Sequence, residues 1–347
     1  ACVGAAVAAG TNRPAVFLCG DEREVQVLSA DLETLTGYRP VTLLGREWQF
    51  RPGAVGSREW ERSRLAALYA LAQGEAPLVV ATADGLMART LPPETLRSLA
   101  LTLEVGEQAD LGQLTERLLS AGYTRCEQVE GVGQFALRGG ILDVFSPLMD
   151  QPVRCEFFDD EIDSMGAFDP GTQRRTRNVS SARILPAAEV LPHCAPGGLT
   201  GLAETLAALA EKLAKKQKTE AIVQTLREDA ERLRSGASLG AADRYLAAIY
   251  PEVTAGVHYL PTDAVVFFSE SGRVDERVKN TVLQQKQDVE ALLSAGVLAG
   301  DYAHLILTVE ELYGALEEFP VILEDSLPTS RHPLRPRGLL TMNAKQL

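Results

Sequence analysis

Apolar positions in the first hundred residues alternate between short continuous runs and helical spacing. Ala15-Val16-Phe17-Leu18-Cys19 is an unbroken apolar run of the kind a buried strand needs. Val25, Leu28, Leu32 and Leu35 then recur on one helical face, and Gly37 is placed to end that helix. Leu65, Leu68, Tyr69 and Leu71 mark a second helix, Leu78-Val79-Val80-Ala81 a second strand, and Thr82-Ala83-Asp84-Gly85 a polar turn. Strand-helix-strand order predicts an α/β unit with a parallel sheet and crossover helices over residues 1–98.

The pattern changes near Ser98. Asp110 can cap a helix whose apolar positions are Leu111, Leu114 and Leu118, with Gly122 just past its end. Strand text follows: 134–138, a Gly139-Gly140 bend, 141–145, then 153–158 and 162–168 around the acidic turn Asp159-Asp160-Glu161. A helix and then strands, without alternation, predicts a small α+β domain over 99–187. After Pro186, Leu202, Leu206, Leu209 and Leu213 share a helical face whose far end is crowded by Lys212, Lys215, Lys216 and Lys218. A further helix holds Leu226 and Leu233 and stops at Gly236, and Ala264-Val265-Val266-Phe267-Phe268 reads as a buried strand before the mixed charges of 275–288. This predicts a further α/β part over 188–325. The Pro-rich, basic text of 326–347 (Arg331, Arg335, Arg337) reads as a linker or the start of another domain.

Composition narrows the class. The 347 residues are 46% hydrophobic and 23% charged, as in soluble globular proteins, and no apolar run is long enough to span a bilayer. The chain begins at Ala1 without Met, and its apolar start lacks the basic flank of a signal peptide, which suggests a fragment. Cys2, Cys19, Cys126, Cys155 and Cys194 form no CxxC pair and fit a reducing cytoplasm better than a disulfide framework. His193, His258, His304 and His332 stand singly, so no metal site is expected. A net charge of −13 places DNA binding behind protein binding, because phosphate contacts need a basic surface.

Nucleotide chemistry lacks its parts. A phosphate-binding loop ends in Lys followed by Ser or Thr, yet the first lysine of the chain is Lys212. Phe157-Phe158-Asp159-Asp160-Glu161 imitates the acidic end of a Walker B strand, but without such a lysine it reads as an acid-rich hairpin turn. No Ser or Cys sits in a GxSxG elbow. No catalytic residue and no cofactor are expected.

Alternation along 153–158 sends Val153, Cys155 and Phe157 toward a core and Arg154, Glu156 and Phe158 the other way. Arg138 has the outward phase in its own strand, opposite to Phe135 and Leu137. An outward Phe beside an outward Arg is the composition of a binding hot spot. The competing reading pairs Arg154 with Glu156 or a nearby Asp and packs Phe158 under a helix. Pattern alone leaves both open.

The stretch from Gly133 to Phe145 (GQFALRGGILDVF) and the stretch from Arg154 to Ser164 (RCEFFDDEIDS) resemble the strand motifs shared by UvrB and the bacterial transcription-repair coupling factors (Mfd). So do Phe168-Asp169-Pro170, Thr172-Gln173-Arg174 and Ile184-Leu185-Pro186-Ala187. Looser similarity, at Trp48, Arg64-Leu65, 85–89, 229–231 and 256–259, extends the resemblance over residues 1–325, to the N-terminal UvrB-homology module of that family. The resemblance implies a degenerate RecA-like, P-loop-type parallel-sheet domain with an inserted small α+β domain like UvrB domain 2. It also implies UvrA as the partner, with the family's contact residues falling on Arg138, Arg154 and Phe158. RNA polymerase and DNA would be engaged by family regions beyond this chain, and packing on a distant domain would mask the UvrA surface. UvrB itself, an ATP-dependent damage-verifying helicase, is the alternative within the resemblance. Residues 41–64 hold Trp48, Phe50 and Trp60 but not the length or tyrosine cluster of its DNA-probing hairpin. A third possibility is a DNA-binding module using Arg174, Arg175, Arg177 and Arg183.

Overall fold

The computed structural model describes residues 13–52, 59–216 and 219–326, together with Gly10 and Leu334. Residues 1–9 and almost all of the expected linker after Asp325 lie outside them. The fold is mixed α/β with a parallel sheet and several helices.

The first apolar run is β1 (Ala15–Cys19), buried along its whole length. It leads into helix α1 (Glu22–Thr36), which starts where Asp21 accepts the Glu24 N–H and ends at Gly37 with φ 73°, a left-handed conformation that favours glycine. Strand β2 (Val41–Leu43), helix α2 (Glu59–Ala72) and strand β3 (Leu78–Thr82) follow. In place of the expected polar turn, Thr82 runs into a short helix α3 (Ala83–Met87) that buries Ala83, Leu86 and Met87. Arg277 holds Asp84 there at 3.1 and 2.8 Å.

Two strands from the other end of the chain, β12 (Val265–Ser269) and β13 (Val321–Glu324), complete this sheet. All five strands are parallel in the order β13-β12-β1-β3-β2. Strands lie on both sides of β1, so the order reverses there. Phe17 of β1 stacks on Phe267 of β12 with ring centroids 4.9 Å apart. Each such fully buried aromatic or aliphatic side chain contributes about 1.5–3 kcal/mol.

Between β3 and β12 the chain builds a different layer. Helix α4 (Pro93–Leu99) leads to β4 (Leu101–Glu104), which pairs antiparallel with β11 (Ser181–Ile184). Helix α5 (Leu111–Ser120) is capped by Asp110, as its sequence predicts, and lays Leu114 and Leu118 into a core with Phe135, Leu142 and Cys155. The strands β5 (Thr124–Arg125), β6 (Gln134–Arg138), β7 (Ile141–Val144), β8 (Val153–Phe158), β9 (Glu161–Phe168) and β10 (Arg175–Asn178) lie side by side in sequence order. From β6 to β10 the pairing is antiparallel.

Downstream, helices α6 (Gly198–Leu213) and α7 (Glu220–Arg234) form an apolar hairpin, followed by the short α8 (Leu246–Ile249). The charged text after β12 is part of one long helix, α9 (Ser271–Ser294). Helix α10 (Val309–Leu316) starts with a capping box between Thr308 and Glu311. No helix among the described residues is long and apolar enough to cross a membrane.

A buried polar cluster joins the middle layer to the parallel sheet. Glu189, which follows β11, is fully buried, and its Oε2 accepts Arg64 Nε at 3.2 Å and the Thr90 hydroxyl at 2.6 Å. Arg46 lies 3.7 Å from the same carboxylate and donates to Asp243 at 2.6 Å. The Glu189 backbone N–H donates to Glu61. Burying these charges together is tolerable only because each is paired.

Candidate protein-binding surface

Strand β8 alternates as its residues dictate. Val153 and Cys155 are buried in the core with Val144 and Met165, and Phe157 packs partly on it. Arg154, Glu156 and Phe158 take the opposite face. The pairing of β7 with β8 sets Asp143 directly beside Arg154.

Asp143 is buried, and its carboxylate is the centre of the face. It accepts Arg154 Nε at 2.7 Å and Arg154 Nη2 at 2.8 Å, a forked pair. Arg138 Nη2 reaches the same carboxylate at 2.8 Å. Arg154 also donates to Gln173 Oε1 at 3.3 Å, and its guanidinium lies 4.7 Å from the Phe168 ring centre, in cation–π range. These bonds to Asp143 push Arg154 above its already high pKa, so the group stays charged. The Arg154 side chain is 19% exposed and the Arg138 side chain 48%. One guanidinium is therefore clamped while the other keeps much of its surface open.

Phe158 is 73% exposed, the most exposed of the large apolar residues described. It closes β8 just before a tight turn in which Asp159 takes φ 53°. The acids 159–161 thus form the tip of the β8–β9 hairpin, in the antiparallel sheet. On the other side of Arg138, Gly139 turns the chain with φ 59°, and Gly140 O accepts the Phe157 N–H at 2.7 Å. A Cβ at Gly140 would come within 3.1 Å of Phe157 O, so glycine lets β8 close up there.

The structure therefore brings Arg138 and Arg154 together on one carboxylate and leaves Phe158 outward on the same strand as Arg154. The competing reading holds for the acid partner of Arg154 and not for Phe158, which packs under no helix. Asp143, Gln173 and Phe168 complete the arrangement without having been singled out by pattern. The available signal for Asp143 was its polar, outward phase between Leu142 and Val144. The four arginines of the DNA-binding possibility do not form one patch. Arg174, Arg175 and Arg177 are exposed at or beside the edge strand β10, whereas Arg183 sits on β11, 3.6 Å from Glu75 and over Tyr69. Among the described residues no group of three or more His, Cys, Asp or Glu side chains is placed to hold a metal.

The carboxyl ends of β1 and β12 mark the reversal point of the parallel sheet, the usual place for a ligand in such folds. Here Glu24 accepts the Gly20 N–H at 3.0 Å and the Ser269 hydroxyl at 2.5 Å. Asp21 accepts the Glu24 N–H at 2.8 Å and Arg273 at 2.7 Å. The Glu24 N–H, and after it Arg273, hold the Asp21 carboxyl below its usual range.

Residues 101–189 match the UvrB interaction domain family. The match contains Arg138, Asp143, Arg154, Phe158 and Gln173, so the face just described lies within an interaction domain. Beyond that segment, the chain is 28% identical over 346 residues to the transcription-repair-coupling factor of Bacillus subtilis, covering 99% of this chain and 29% of that protein. The factor of Myxococcus xanthus is 38% identical over 190 residues, 51% of this chain and 16% of that protein. The factor of Staphylococcus aureus strain USA300 is 28% identical over 310 residues, 87% of this chain and 25% of that protein. The chain corresponds to the N-terminal UvrB-homology module of the transcription-repair coupling factors, and it spans less than a third of the length of these relatives.

Proposed function

We propose that this chain recruits UvrA for transcription-coupled nucleotide excision repair, in the cytoplasm, and has no ATPase of its own. Arg138, Arg154 and Phe158 are the contact residues. The observation that carries the reading is Phe158: a phenyl ring held in solvent at the end of the strand whose Arg154 is fixed by a buried carboxylate. Exposed aromatics beside oriented guanidinium groups are what protein interfaces use as anchors. Residues 99–187 form the UvrA-binding domain, inserted into a degenerate RecA-like domain of 1–98, with 188–325 as a second UvrB-like part and 326–347 leading onward. RNA polymerase and DNA are engaged by parts of the full-length factor outside this chain.

The absence of an ATPase is supported by the reversal point of the parallel sheet. A triphosphate entering there would meet the Asp21 and Glu24 carboxylates, already hydrogen-bonded, and the described residues before Lys212 contain no lysine to receive it. The test is direct. UvrA is titrated against the chain and against Arg138→Ala, Arg154→Ala and Phe158→Ala. Each variant should weaken binding by about 2 kcal/mol or more while the chain stays folded. Normal UvrA binding by all three variants would refute the assignment, and saturable binding of millimolar ATP would refute the second half.

A further inference from the structure

Gly166 of β9 lies directly opposite Arg154 of β8. The row across the outward face therefore runs from Asp143 through Arg154 to a residue without a side chain. The gap is not empty. A Cβ placed on Gly166 would lie 1.9 Å from Arg175 Nε and 2.7 Å from Arg175 Cζ. The guanidinium of Arg175, which starts from the edge strand β10, reaches over Gly166, the residue paired with Arg154.

Arg175 is exposed and forms no ion pair among the described residues. Its one polar contact is a long one, Nη1 to Ser164 Oγ at 3.4 Å. Carboxylates near it on this face are already engaged. Asp143 holds Arg138 and Arg154, Glu156 accepts the Ser164 hydroxyl at 2.8 Å, and Glu161 accepts Gln108 Nε2 at 3.1 Å. In a chain of net charge −13, a guanidinium carried across a glycine gap onto the row of Arg154, with no acid of its own, is positioned for an acid supplied from outside.

We infer that Arg175 is a third guanidinium of the docking face and that the partner meets it with a carboxylate. Gly166 sets the specificity by leaving the path open. This rests on the UvrA reading and adds the partner's chemistry to it. The Arg138 guanidinium sits at Asp143 of β7 and that of Arg175 over Gly166 of β9, two strand spacings of about 4.8 Å, so the charged strip is roughly 10 Å long. The complementary surface is an acidic strip of that length beside a hollow that takes the Phe158 ring.

The experiment titrates UvrA into the full chain at low and at physiological salt, with Arg175→Ala, Gly166→Ala and Phe158→Ala. Arg175→Ala removes the charge and should weaken binding about tenfold with a shallower salt dependence. Gly166→Ala keeps the charge and displaces it. Its Cβ collides only with the far end of a flexible side chain, so the fold survives, and affinity should fall about threefold. Thermal melts confirm folding for both. If Phe158→Ala loses binding while Arg175→Ala and Gly166→Ala match the unmodified chain, the inference is overturned and the UvrA reading stands. If the unmodified chain does not bind UvrA, or Phe158→Ala binds as well as it does, the reading fails and the inference with it. If Arg175→Ala loses affinity for a short DNA duplex and leaves UvrA binding intact, the strip serves nucleic acid and the inference is overturned.

Discussion

Arg154 grips Asp143 with two parallel hydrogen bonds, 2.7 Å from Nε and 2.8 Å from Nη2. The fork fixes the plane of the guanidinium, and the buried carboxylate keeps further acceptor positions, one of which Arg138 takes. Arg138 could not hold its direction by packing alone, since its side chain is about half open to solvent.

Replacing the acid should therefore cost more than replacing either base. Asp143→Asn keeps the shape and removes the charge that two cations share. The expected loss is about 2–3 kcal/mol of folding stability, less than for a fully sealed pair because Arg138 remains hydrated. A urea unfolding midpoint equal to that of the unmodified chain would show that Asp143 does not organise the face.

Phe158→Ala should separate stability from binding. The ring is 73% exposed, so its removal changes folding stability by no more than about 0.5 kcal/mol. UvrA affinity should fall about thirtyfold or more, the usual cost of truncating an aromatic anchor. Calorimetric titration and a thermal melt on the same preparation read both quantities, and a large drop in melting temperature would mean that the ring supports the fold instead.

The buried join at Glu189 gives a third expectation. Glu189→Ala leaves Arg64 and Arg46 buried without their shared carboxylate, and removing one side of such a cluster costs about 3–5 kcal/mol. The effect should appear as a lower denaturation midpoint together with new protease cleavage near residues 186–192, where the middle layer meets the parallel sheet. An unchanged midpoint would mean that apolar packing alone carries the join.

Two buried thiols contribute to the alkaline limit, alongside buried tyrosines such as Tyr302 and Tyr123 that burial also pushes up. Burial pushes Cys19 up to about 12, with Glu24 and Asp21 adding to the effect, and burial likewise pushes Cys155 up to about 12, with Asp143 adding. In the unfolded chain both ionise near 9.0. The folded state thus binds more protons between these values. Stability contributed by the neutral thiols is complete below pH 9 and is lost as pH rises toward about 12. A Cys19→Ala, Cys155→Ala double variant should show a flatter fall in stability above pH 9. Mass spectrometry after brief alkylation of the native chain should find both thiols unmodified, and rapid labelling of either would contradict their burial.

Much of the site was readable because strand geometry is simple. A period of two places Arg154 and Phe158 on one side of β8 without any knowledge of neighbours. The acid partner of Arg154 needed the register of β7 against β8, which turn residues only hint at. The crossing of Arg175 over Gly166 depends on a register shift between Arg175 and Arg177, and no periodicity encodes that. At the level of the fold, apolar runs at 15–19, 78–81 and 264–268 mark buried strands correctly. That β12 lies beside β1 is a long-range choice, made by packing such as Phe17 on Phe267. The short helix at Ala83–Met87 escaped because Asp84 and Gly85 are turn-forming residues in isolation, and the ion pair with Arg277 comes from far along the chain. The long helix α9 escaped because its alternating charges carry little apolar periodicity.

The pairing of Ala15 with Val265 also fixes a timetable. As the chain leaves the ribosome, β6 to β10 can zip up in the order they emerge, each against its immediate predecessor. Strand β1 has no such option on its β12 flank and must wait, greasy and uncovered, until the codon for Val265 has been read. A nascent chain stopped short of that point would present a finished β6–β10 sheet tethered to an unsatisfied hydrophobic edge, a form suited to chaperones.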